Sequence, residues 1–196
     1  QIDTGGAGAG KPRVYWNFNG DTQDSSGNNI NANLTGPGFS SETPPGGGSA
    51  SVAFDGGGDY ISAPIDVSES SYTCSFWFRT TNSNAGLFCV VDSDLGAGGH
   101  DRHLYLDGGN ITARLWNNET IRSSGLSLAD GEWHHLAHVY GGSTGGQRVY
   151  IDGTFIMGGG KAQSDFNWQK HVNIGFSNDA RQQYLQGNID ELAIWN

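Results

Sequence analysis

Apolar and polar side chains alternate with a period of two in many short segments of this chain. The clearest segment spans residues 132–139, where one face would carry four side chains: Trp133, His135, Ala137 and Val139. This is the period of a β-strand, because successive side chains of a strand point to opposite faces. After the glycine-rich residues 141–146, residues 147–151 form a second candidate strand, and Asp152-Gly153 forms a two-residue turn into residues 154–157. The pattern therefore predicts β-hairpins in this part of the chain.

Similar segments recur along the chain and are joined by short, glycine-rich turns. The predicted strands lie at about residues 13–18, 50–54, 59–64, 72–80, 86–91, 103–107, 111–116, 133–140, 147–151, 154–157, 171–175 and 187–195. No window of about 11 residues sustains the helical period with its caps, and no apolar run reaches the roughly 20 residues that cross a membrane. Many short strands without helices predict an all-β fold, a two-sheet antiparallel β-sandwich or jelly roll.

Composition separates a short leader from the rest of the chain. Residues 1–11 are rich in Gly and Ala and are interpreted as a linker, whereas residues 12–196 have the length of one β-sandwich domain. The segment 39–48, which contains Pro44-Pro45 followed by glycines, is predicted to be a loop. The chain begins at Gln1 without a signal peptide, so we expect it to be a processed or excised portion of a larger protein.

The large side chains divide by their position in this pattern. In residues 72–80, alternation points Cys74, Phe76 and Phe78 into the core and Trp77 to the opposite face. Structural packing is the expected role of four tryptophans: Trp16, Trp77, Trp133 and Trp195. Trp116 and Trp168 lie at loop edges instead, where an exposed ring can stack on the apolar face of a sugar.

The two cysteines, Cys74 and Cys89, both lie in apolar segments that resemble strands. If residues 74–80 and 86–92 are neighbouring strands, the thiols would face each other and close a disulfide worth about 3 kcal/mol. The alternative is a pair of buried free thiols that pack as small apolar groups. The sequence leaves both alternatives open.

The charge balance narrows the range of partners. The formal net charge is −10, from 20 acidic and 10 basic residues. Repulsion from phosphate argues against a nucleic acid partner. An acidic surface suits Ca²⁺ binding and extracellular solubility, although a merely soluble surface explains the same composition.

Five motifs in the expected order resemble the laminin-G-like domains of the concanavalin-A-like lectin/glucanase superfamily. In chain order they are Tyr15-Trp16-Asn17-Phe18 with Asp24-Ser25-Ser26-Gly27-Asn28; Phe54-Asp55-Gly56 with Asp59-Tyr60-Ile61; Ser71-Tyr72-Thr73-Cys74-Ser75-Phe76-Trp77-Phe78; Trp133-His134-His135 with Tyr150-Ile151-Asp152-Gly153; and Gly187-Asn188-Ile189-Asp190-Glu191. The resemblance covers nearly the whole chain. It implies a concanavalin A-like sandwich, and such domains bind ligands far more often than they catalyse.

Catalysis is the weaker hypothesis, although the same fold hosts glycosidases and polysaccharide lyases. A retaining glycosidase needs two carboxylates about 5 Å apart, for example at positions i and i+2 of one strand. Asp92 and Asp94 have that spacing, but they run into a glycine-rich segment and are interpreted as loop residues. The Gly-x-Ser-x-Gly nucleophile motif and the lyase set of Arg, Gln-x-His and Tyr are not found. We therefore expect no enzyme activity.

The histidines of the Trp-His-His motif do not have the spacing of a metal site. His134 and His138 would lie about 13 Å apart on one face of a strand. His134 and His135 would point to opposite faces. Because the family's own strand carries Trp-His-His, the resemblance implies a structural role for these histidines.

The resemblance to pentraxins and to laminin-G and neurexin domains implies Ca²⁺ at one rim of the sandwich. The matching positions are Asp101, just before a predicted strand, and Asn178, Asp179 and Gln183 in the loop before the last strand. Ca²⁺ takes six to eight oxygen ligands, and two predicted loops, residues 92–102 and 177–183, are rich in oxygen-bearing side chains. The alternative is that these side chains only cap turns. Hydrogen bonds to their own backbone explain most of a second group of acidic residues in the family's turns, and a structural Ca²⁺ there is the alternative: Asp24, Asp55, Asp59 and Asp190.

Together these observations predict a secreted or cell-surface recognition module of an extracellular adhesin. The first hypothesis is lectin-like binding of a glycan or cell-surface glycoconjugate, with Ca²⁺ as a candidate cofactor and no insertion into a membrane. Polar contacts would come from Asp101, Asn117, Asn118, Asp179 and Gln183, and stacking from Trp116 or Tyr184. The alternatives are adhesion to an extracellular protein or peptide, or a structural spacer. An exposed apolar patch would favour the protein-binding alternative.

Overall fold

A computed structural model describes residues 10–95, 100–116 and 119–196, so most of the predicted linker at residues 1–11 lies outside the described residues. The strands are β1 (Val14–Trp16), β2 (Asn33–Thr35), β3 (Gly38–Ser40), β4 (Ser51–Asp55), β5 (Tyr60–Ala63), β6 (Ser71–Thr80), β7 (Gly86–Val91), β8 (His100–Asp107), β9 (Asn110–Leu115), β10 (Glu119–Arg122), β11 (Trp133–Gly141), β12 (Gly146–Ile151), β13 (Thr154–Gly158), β14 (His171–Ile174) and β15 (Gln186–Trp195). A 3-10 helix spans Gly142–Thr144. In the described part of the chain, no helix is long and apolar enough to cross a membrane.

These strands form two antiparallel sheets. Sheet A has the order β13-β12-β11-β6-β15-β4-β3, and β1 also pairs with β15; sheet B has the order β10-β9-β8-β7-β14-β5-β2. The architecture is that of a concanavalin A-like β-sandwich, which confirms the predicted fold class. The Asp152-Gly153 turn between β12 and β13 is also confirmed, and both residues have positive φ, at 51° and 76°, as a two-residue hairpin requires.

The core lies between the inner faces of the two sheets. Phe76 and Phe78 of β6 point into it, as the alternation predicts, and the rings of Phe76 and Phe88 lie 6.4 Å apart across the two sheets. Trp16 is fully buried, and its indole N–H donates to the carbonyl of Ile30 at 2.8 Å. Burial of each such side chain stabilises the fold by about 1.5–3 kcal/mol.

Cys74 and Cys89 are buried free thiols. The condition for a disulfide is not met, because β6 belongs to sheet A and β7 to sheet B. Cys74 packs in the core, whereas Cys89 points to the outer face of sheet B, where it packs with Tyr60, Val91 and Phe176.

Three short strands were missed by the sequence pattern. β2, β3 and β10 contain three or four residues each and lie at the edges of the sheets. The prediction of a loop over residues 39–48 is wrong at its beginning, because Phe39 and Ser40 belong to β3. Edge strands this short bury little of either face, so they show no alternation to detect.

Candidate functional site

The outer face of sheet B carries most of the described side chains that were predicted to bind a ligand. β8 turns Leu104 and Leu106 into the core, so His103 and Tyr105 point outward. The register of β8 and β9 places Arg114 beside His103, and Trp116 follows on the same side two residues later. We call Arg114, Trp116, Asp179, Gln183 and Tyr184 the rim patch.

An ion pair and a ring contact order the centre of the rim patch. Arg114 Nη1 donates to Asp179 Oδ2 at 2.6 Å, and Arg114 Cζ lies 4.5 Å from the centre of the Trp116 ring. Exposure is 24% for the Arg114 side chain and 9% for that of Asp179. Trp116 is partly buried, and its backbone N–H donates to the carbonyl of Asp101 at 3.2 Å. The guanidinium is therefore held between a carboxylate and an aromatic ring.

The loop 175–185 carries the other residues of the rim patch and is pinned at its base. Phe176 and Tyr184 form a β-bridge, and their ring centroids lie 5.0 Å apart. Gly86 of β7 lies under this loop, and its N–H donates to the carbonyl of Gln182 at 3.0 Å. An added Cβ at Gly86 would overlap the Gln183 carbonyl oxygen, so only glycine lets the loop approach the sheet this closely.

A Ser-His-Asp cluster lies beneath the same loop. His103 Nδ1 is 2.9 Å from Ser177 Oγ, and His103 Nε2 is 3.9 Å from Asp179 Oδ2. A catalytic triad has the same residue types but presents its serine to substrate. Ser177 is fully buried, and its Oγ accepts the backbone N–H of Asp179 at 3.3 Å. The cluster therefore positions the Asp179 segment of the loop.

The predicted calcium ligands are only partly brought together. Asn178, Asp179 and Gln183 share the loop 175–185, and Gln183 Nε2 donates to the Asn178 carbonyl at 3.5 Å. Asp101 is fully buried, its Oδ2 lies 3.5 Å from Arg102 Nε, and burial raises the pKa of its carboxyl. The predicted ligand residues Asn117 and Asn118 lie outside the described residues.

The described side chains do not form a ready calcium site. Within residues 10–95, 100–116 and 119–196, no group of three or more His, Cys, Asp and Glu side chains gathers as metal ligands would. Asn178 Oδ1 is buried without a hydrogen-bond partner, as an unused ligand oxygen would be. However, a cation at Asp179 would meet the positive charge of Arg114 at the same carboxylate oxygen. The calcium rim therefore stays a prediction.

The outer face of sheet A carries a second group of aromatic side chains. Trp77 and Trp195 line an open cleft on this face together with Tyr15, His135 and Glu191. The expected structural packing is confirmed for Trp16, which is fully buried, and stays a prediction for Trp77 and Trp195, which are partly buried and line the cleft. The sequence did indicate one part of this cleft, because the alternation in β6 points the Trp77 side chain away from the core.

The histidines of β11 separate by face. His138 is buried between Tyr72 and Gln147, at 2.5 and 3.1 Å, and burial lowers its pKa to about 4. His134 Nδ1 lies 2.8 Å from Asp152 Oδ2. The structural role is confirmed for these two histidines, whereas His135 faces the cleft.

The acidic residues of the family's turns have different environments in the structure. Asp24 accepts backbone N–H groups of Tyr15, Ser26 and Ile30, and Asp55 accepts that of Gly57, as turn carboxylates do. Asp190 instead lies within β15 at a break in the register with β6, and it is fully buried. Burial raises the pKa of its carboxyl to about 7.

The two antiparallel sheets define a β-sandwich with one candidate surface on each outer face. Residues 55–196 match the family model Laminin_G_3, described as the concanavalin A-like lectin/glucanases superfamily. The chain therefore belongs to this family, which confirms the resemblance seen in its motifs. No curated protein matches the sequence significantly.

Solved structures with the same fold include domains of enzymes and toxins. Domain 4 of AbnA, a GH43 extracellular arabinanase from Geobacillus stearothermophilus in complex with arabinotriose, has a TM-score of 0.70 at 19% identity, over 95% of this chain and 92% of that domain. The botulinum neurotoxin serotype D binding domain has a TM-score of 0.70 at 13% identity, over 94% and 48%. The binding domain of Paraclostridial Mosquitocidal Protein 1 has a TM-score of 0.66 at 17% identity, over 88% and 45%. The chain spans about half of each toxin binding domain, and these identities show a shared fold alone.

Proposed function

We propose that this protein is a recognition module that binds carbohydrate through the rim patch. The observation that carries the proposal is the arrangement of Arg114 between the Asp179 carboxylate and the Trp116 ring. An ordered charge pair offers directional hydrogen bonds to sugar hydroxyls, and an aromatic ring offers a surface for the apolar face of a sugar. Because the ion pair already holds these side chains, little side-chain entropy is lost on binding.

The structural neighbours support this proposal at a coarse level. Domain 4 of the arabinanase is in complex with arabinotriose, and the toxin domains are named as binding domains. By analogy, the module belongs to a secreted or cell-surface protein such as an adhesin and has no catalytic role of its own. Its glycan would be part of a polysaccharide or of a cell-surface glycoconjugate.

Calcium is a second way to order the loop 175–185, in place of the ion pair between Arg114 and Asp179. Asn178, Asp179 and Gln183 would supply side-chain oxygens, and Asp101 would act from beneath the patch. Binding of Ca²⁺ would supply a positive charge that attracts sugar hydroxyls or stabilises the loop. It would require the Arg114 side chain to withdraw from Asp179, since both cations compete for the same carboxylate.

Adhesion to a protein is the second candidate function. Trp168 is 50% exposed and its ring lies 4.5 Å from that of Phe166 in the loop before β14. Exposed, clustered aromatic rings are typical anchors of protein interfaces. This pair lies apart from the rim patch in sequence and provides a matched control for it.

A glycan array tests the proposal when the wild type is compared with Trp116→Ala and Trp168→Ala, each with Ca²⁺ and with EDTA. We expect Trp116→Ala to weaken binding about tenfold, because a stacked aromatic ring contributes about 0.5–1.5 kcal/mol beyond its buried area. Trp168→Ala should bind as the wild type does. Loss of binding in EDTA would support the calcium rim.

Three results would contradict the proposal. Absence of glycan binding by the wild type would favour protein adhesion or a spacer. Equal binding by Trp116→Ala would move the site elsewhere on the domain. Unfolding of Trp116→Ala, seen as a large fall in Tm, would show that this ring is structural.

A further inference from the structure

A cleft on the outer face of sheet A lies apart from the rim patch and has no role in the function proposed above. It encloses about 650 Å³ and opens to solvent. Small-molecule sites in proteins typically occupy about 300–1,000 Å³, so the cleft has the size of a ligand site. We call it the sheet A cleft.

Ala193 lines the floor of the sheet A cleft, and small side chains occupy the neighbouring positions of the sheet. Antiparallel register places Ala193 of β15 beside Ser75 of β6, and Ser75 beside Ala137 of β11. Paired residues point to the same face, so these three side chains form a shallow row across three strands. Tyr15 of β1, which pairs with Ala193, and Tyr150 of β12, which pairs with Ala137, stand at the two ends of this row.

Aromatic side chains line two opposite sides of the cleft. On one side, Trp77 pairs with His135, with ring centroids 5.2 Å apart and planes inclined at 60°. On the other side, Trp195 pairs with Thr73, four residues from Trp77 along β6. Alternate residues of a strand are about 7 Å apart, so the two sides are separated by about 13 Å. This width admits one sugar ring lying against either wall.

The polar groups of the cleft are acidic or neutral. Glu191 accepts a hydrogen bond from the Tyr15 hydroxyl at the edge of the floor. Among the described residues that line the cleft, none is Lys or Arg. A ligand with carboxylate or sulfate groups would therefore be repelled, whereas the hydroxyl groups of a neutral sugar can donate to the carboxylate.

A buried carboxyl supports the same wall from beneath. Asp190 is fully buried, and its Oδ2 has no hydrogen-bond partner. This oxygen lies directly under Gly47 of the cleft wall, 3.1 Å from where a Cβ would be. A buried polar atom without a partner is uncommon and marks a position where a donor from outside would be stabilising.

We infer that the sheet A cleft is a second carbohydrate-binding site, for neutral oligosaccharides, on the face opposite the rim patch. One domain would then hold two glycan chains at once, one on each outer face of the sandwich. Two sites of modest affinity on one module raise the avidity for a surface that displays many copies of the ligand. The inference stands independently of the proposed function, because the two sites share no residue.

Titration with arabinotriose, followed by the indole N–H signals in NMR spectra, tests the inference. Further titrations use other neutral oligosaccharides, uronic-acid oligosaccharides and a quaternary ammonium compound. We expect a neutral oligosaccharide to shift the signals of Trp77 and Trp195. Trp77→Ala should weaken this binding at least tenfold, whereas Trp116→Ala should leave it unchanged. Trp133→Ala, on the same face but outside the cleft, is the matched control.

Glu191→Gln keeps the size and a hydrogen bond to Tyr15 and removes the charge, so it tests the charge argument without removing a wall. This variant should retain neutral ligands and admit uronic-acid oligosaccharides that the wild type rejects. The inference is overturned if no neutral oligosaccharide shifts Trp77 or Trp195, or if Trp77→Ala, shown to be folded, binds as the wild type does. It is also overturned if the ammonium compound alone binds. Loss of binding only at the rim patch would count against the proposed function and leave the cleft in place.

Discussion

Arg114 and Asp179 form a partly buried ion pair, with Nη1 and Oδ2 2.6 Å apart. They come from β9 and from the loop before β15, so the pair ties two distant segments to one face of sheet B. The planar guanidinium also lies over Trp116.

Arg114→Lys should weaken glycan binding at the rim patch while leaving the fold intact. Lysine keeps the charge but loses the planar surface that stacks on Trp116. We expect up to about a tenfold loss of affinity and a stability change within about 1 kcal/mol, because the pair is partly solvated. Calorimetric titration and urea unfolding measure both quantities. Arg79→Lys, which alters the exposed pair with Glu42 and the hydrogen bond to the Gly131 carbonyl, should leave glycan affinity unchanged; an equal loss of affinity there would show a general charge effect.

Gly86→Ala should displace the loop that carries Asp179, Gln183 and Tyr184. The added Cβ would overlap the Gln183 carbonyl oxygen and the Ser177 nitrogen, and backbone atoms cannot rotate away. Overpacking of this kind costs about 1–3 kcal/mol. We expect glycan affinity to fall by more than tenfold and Tm to decrease.

Gly38→Ala is the control for this substitution, because nothing lies within 4 Å of its Cβ position. Normal affinity in Gly86→Ala would mean that the loop is not part of the binding site.

The thiols of Cys74 and Cys89 should be unreactive in the native protein. Both are fully buried, and burial raises the pKa of each thiol, which suppresses the reactive thiolate. Ellman's reagent should label neither thiol under native conditions and both in guanidinium chloride without reductant. Absence of labelling in denaturant would reveal a disulfide. Cys74→Ala should leave one reactive thiol on unfolding.

Asp190→Asn should change the pH dependence of stability. Burial raises the pKa of the Asp190 carboxyl from about 4 to about 7, so the folded protein holds a proton there that the unfolded chain has lost. The wild type therefore loses stability as the pH rises from about 4 to about 7, and this loss levels off above pH 7. The neutral amide does not titrate, so the variant does not lose this stability. We expect its free energy of unfolding, relative to that of the wild type, to rise by on the order of 2 kcal/mol between pH 4 and pH 7.

Urea unfolding between pH 4 and pH 8, with EDTA present, measures the effect. Asp21→Asn, at an exposed turn, is the control and should track the wild type. A constant difference between Asp190→Asn and the wild type would show that the carboxyl is ionised throughout this range.

Local patterns predicted those parts of the fold that depend on local geometry. The β11–β12–β13 segment was predictable because alternation and an Asp-Gly turn specify two hairpins without reference to the rest of the chain. β2, β3 and β10 were not predictable, because they become strands only by pairing with longer neighbours. The two alternatives for Cys74 and Cys89 stayed open for a related reason, since alternation specifies a face and not the sheet to which a strand belongs.

In the two candidate sites, groupings within one loop were predictable and contacts between distant segments were not. Asp179, Gln183 and Tyr184 were selected from one loop, and they do lie together. The Arg114 contact that orders this loop was missed, because 65 residues separate it from Asp179. A structural role was expected for His135 and Trp77. Alternation showed that Trp77 points away from the core, but it could not show that the two rings are in contact.

The sequence by itself determined that this protein is an antiparallel sandwich of the laminin-G-like type, with Phe76 and Phe78 turned inward and Trp77 turned outward. The strands and the directions of these side chains follow from a period of two and from turn chemistry, which act over a few residues, whereas the laminin-G-like type follows from the resemblance of the motifs. Only the tertiary structure decided that Tyr15, Trp77 and Trp195 surround one cleft. Their strands are adjacent because β15 lies between β6 and β4 and also pairs with β1. That order comes from burying two apolar faces against each other across the whole chain.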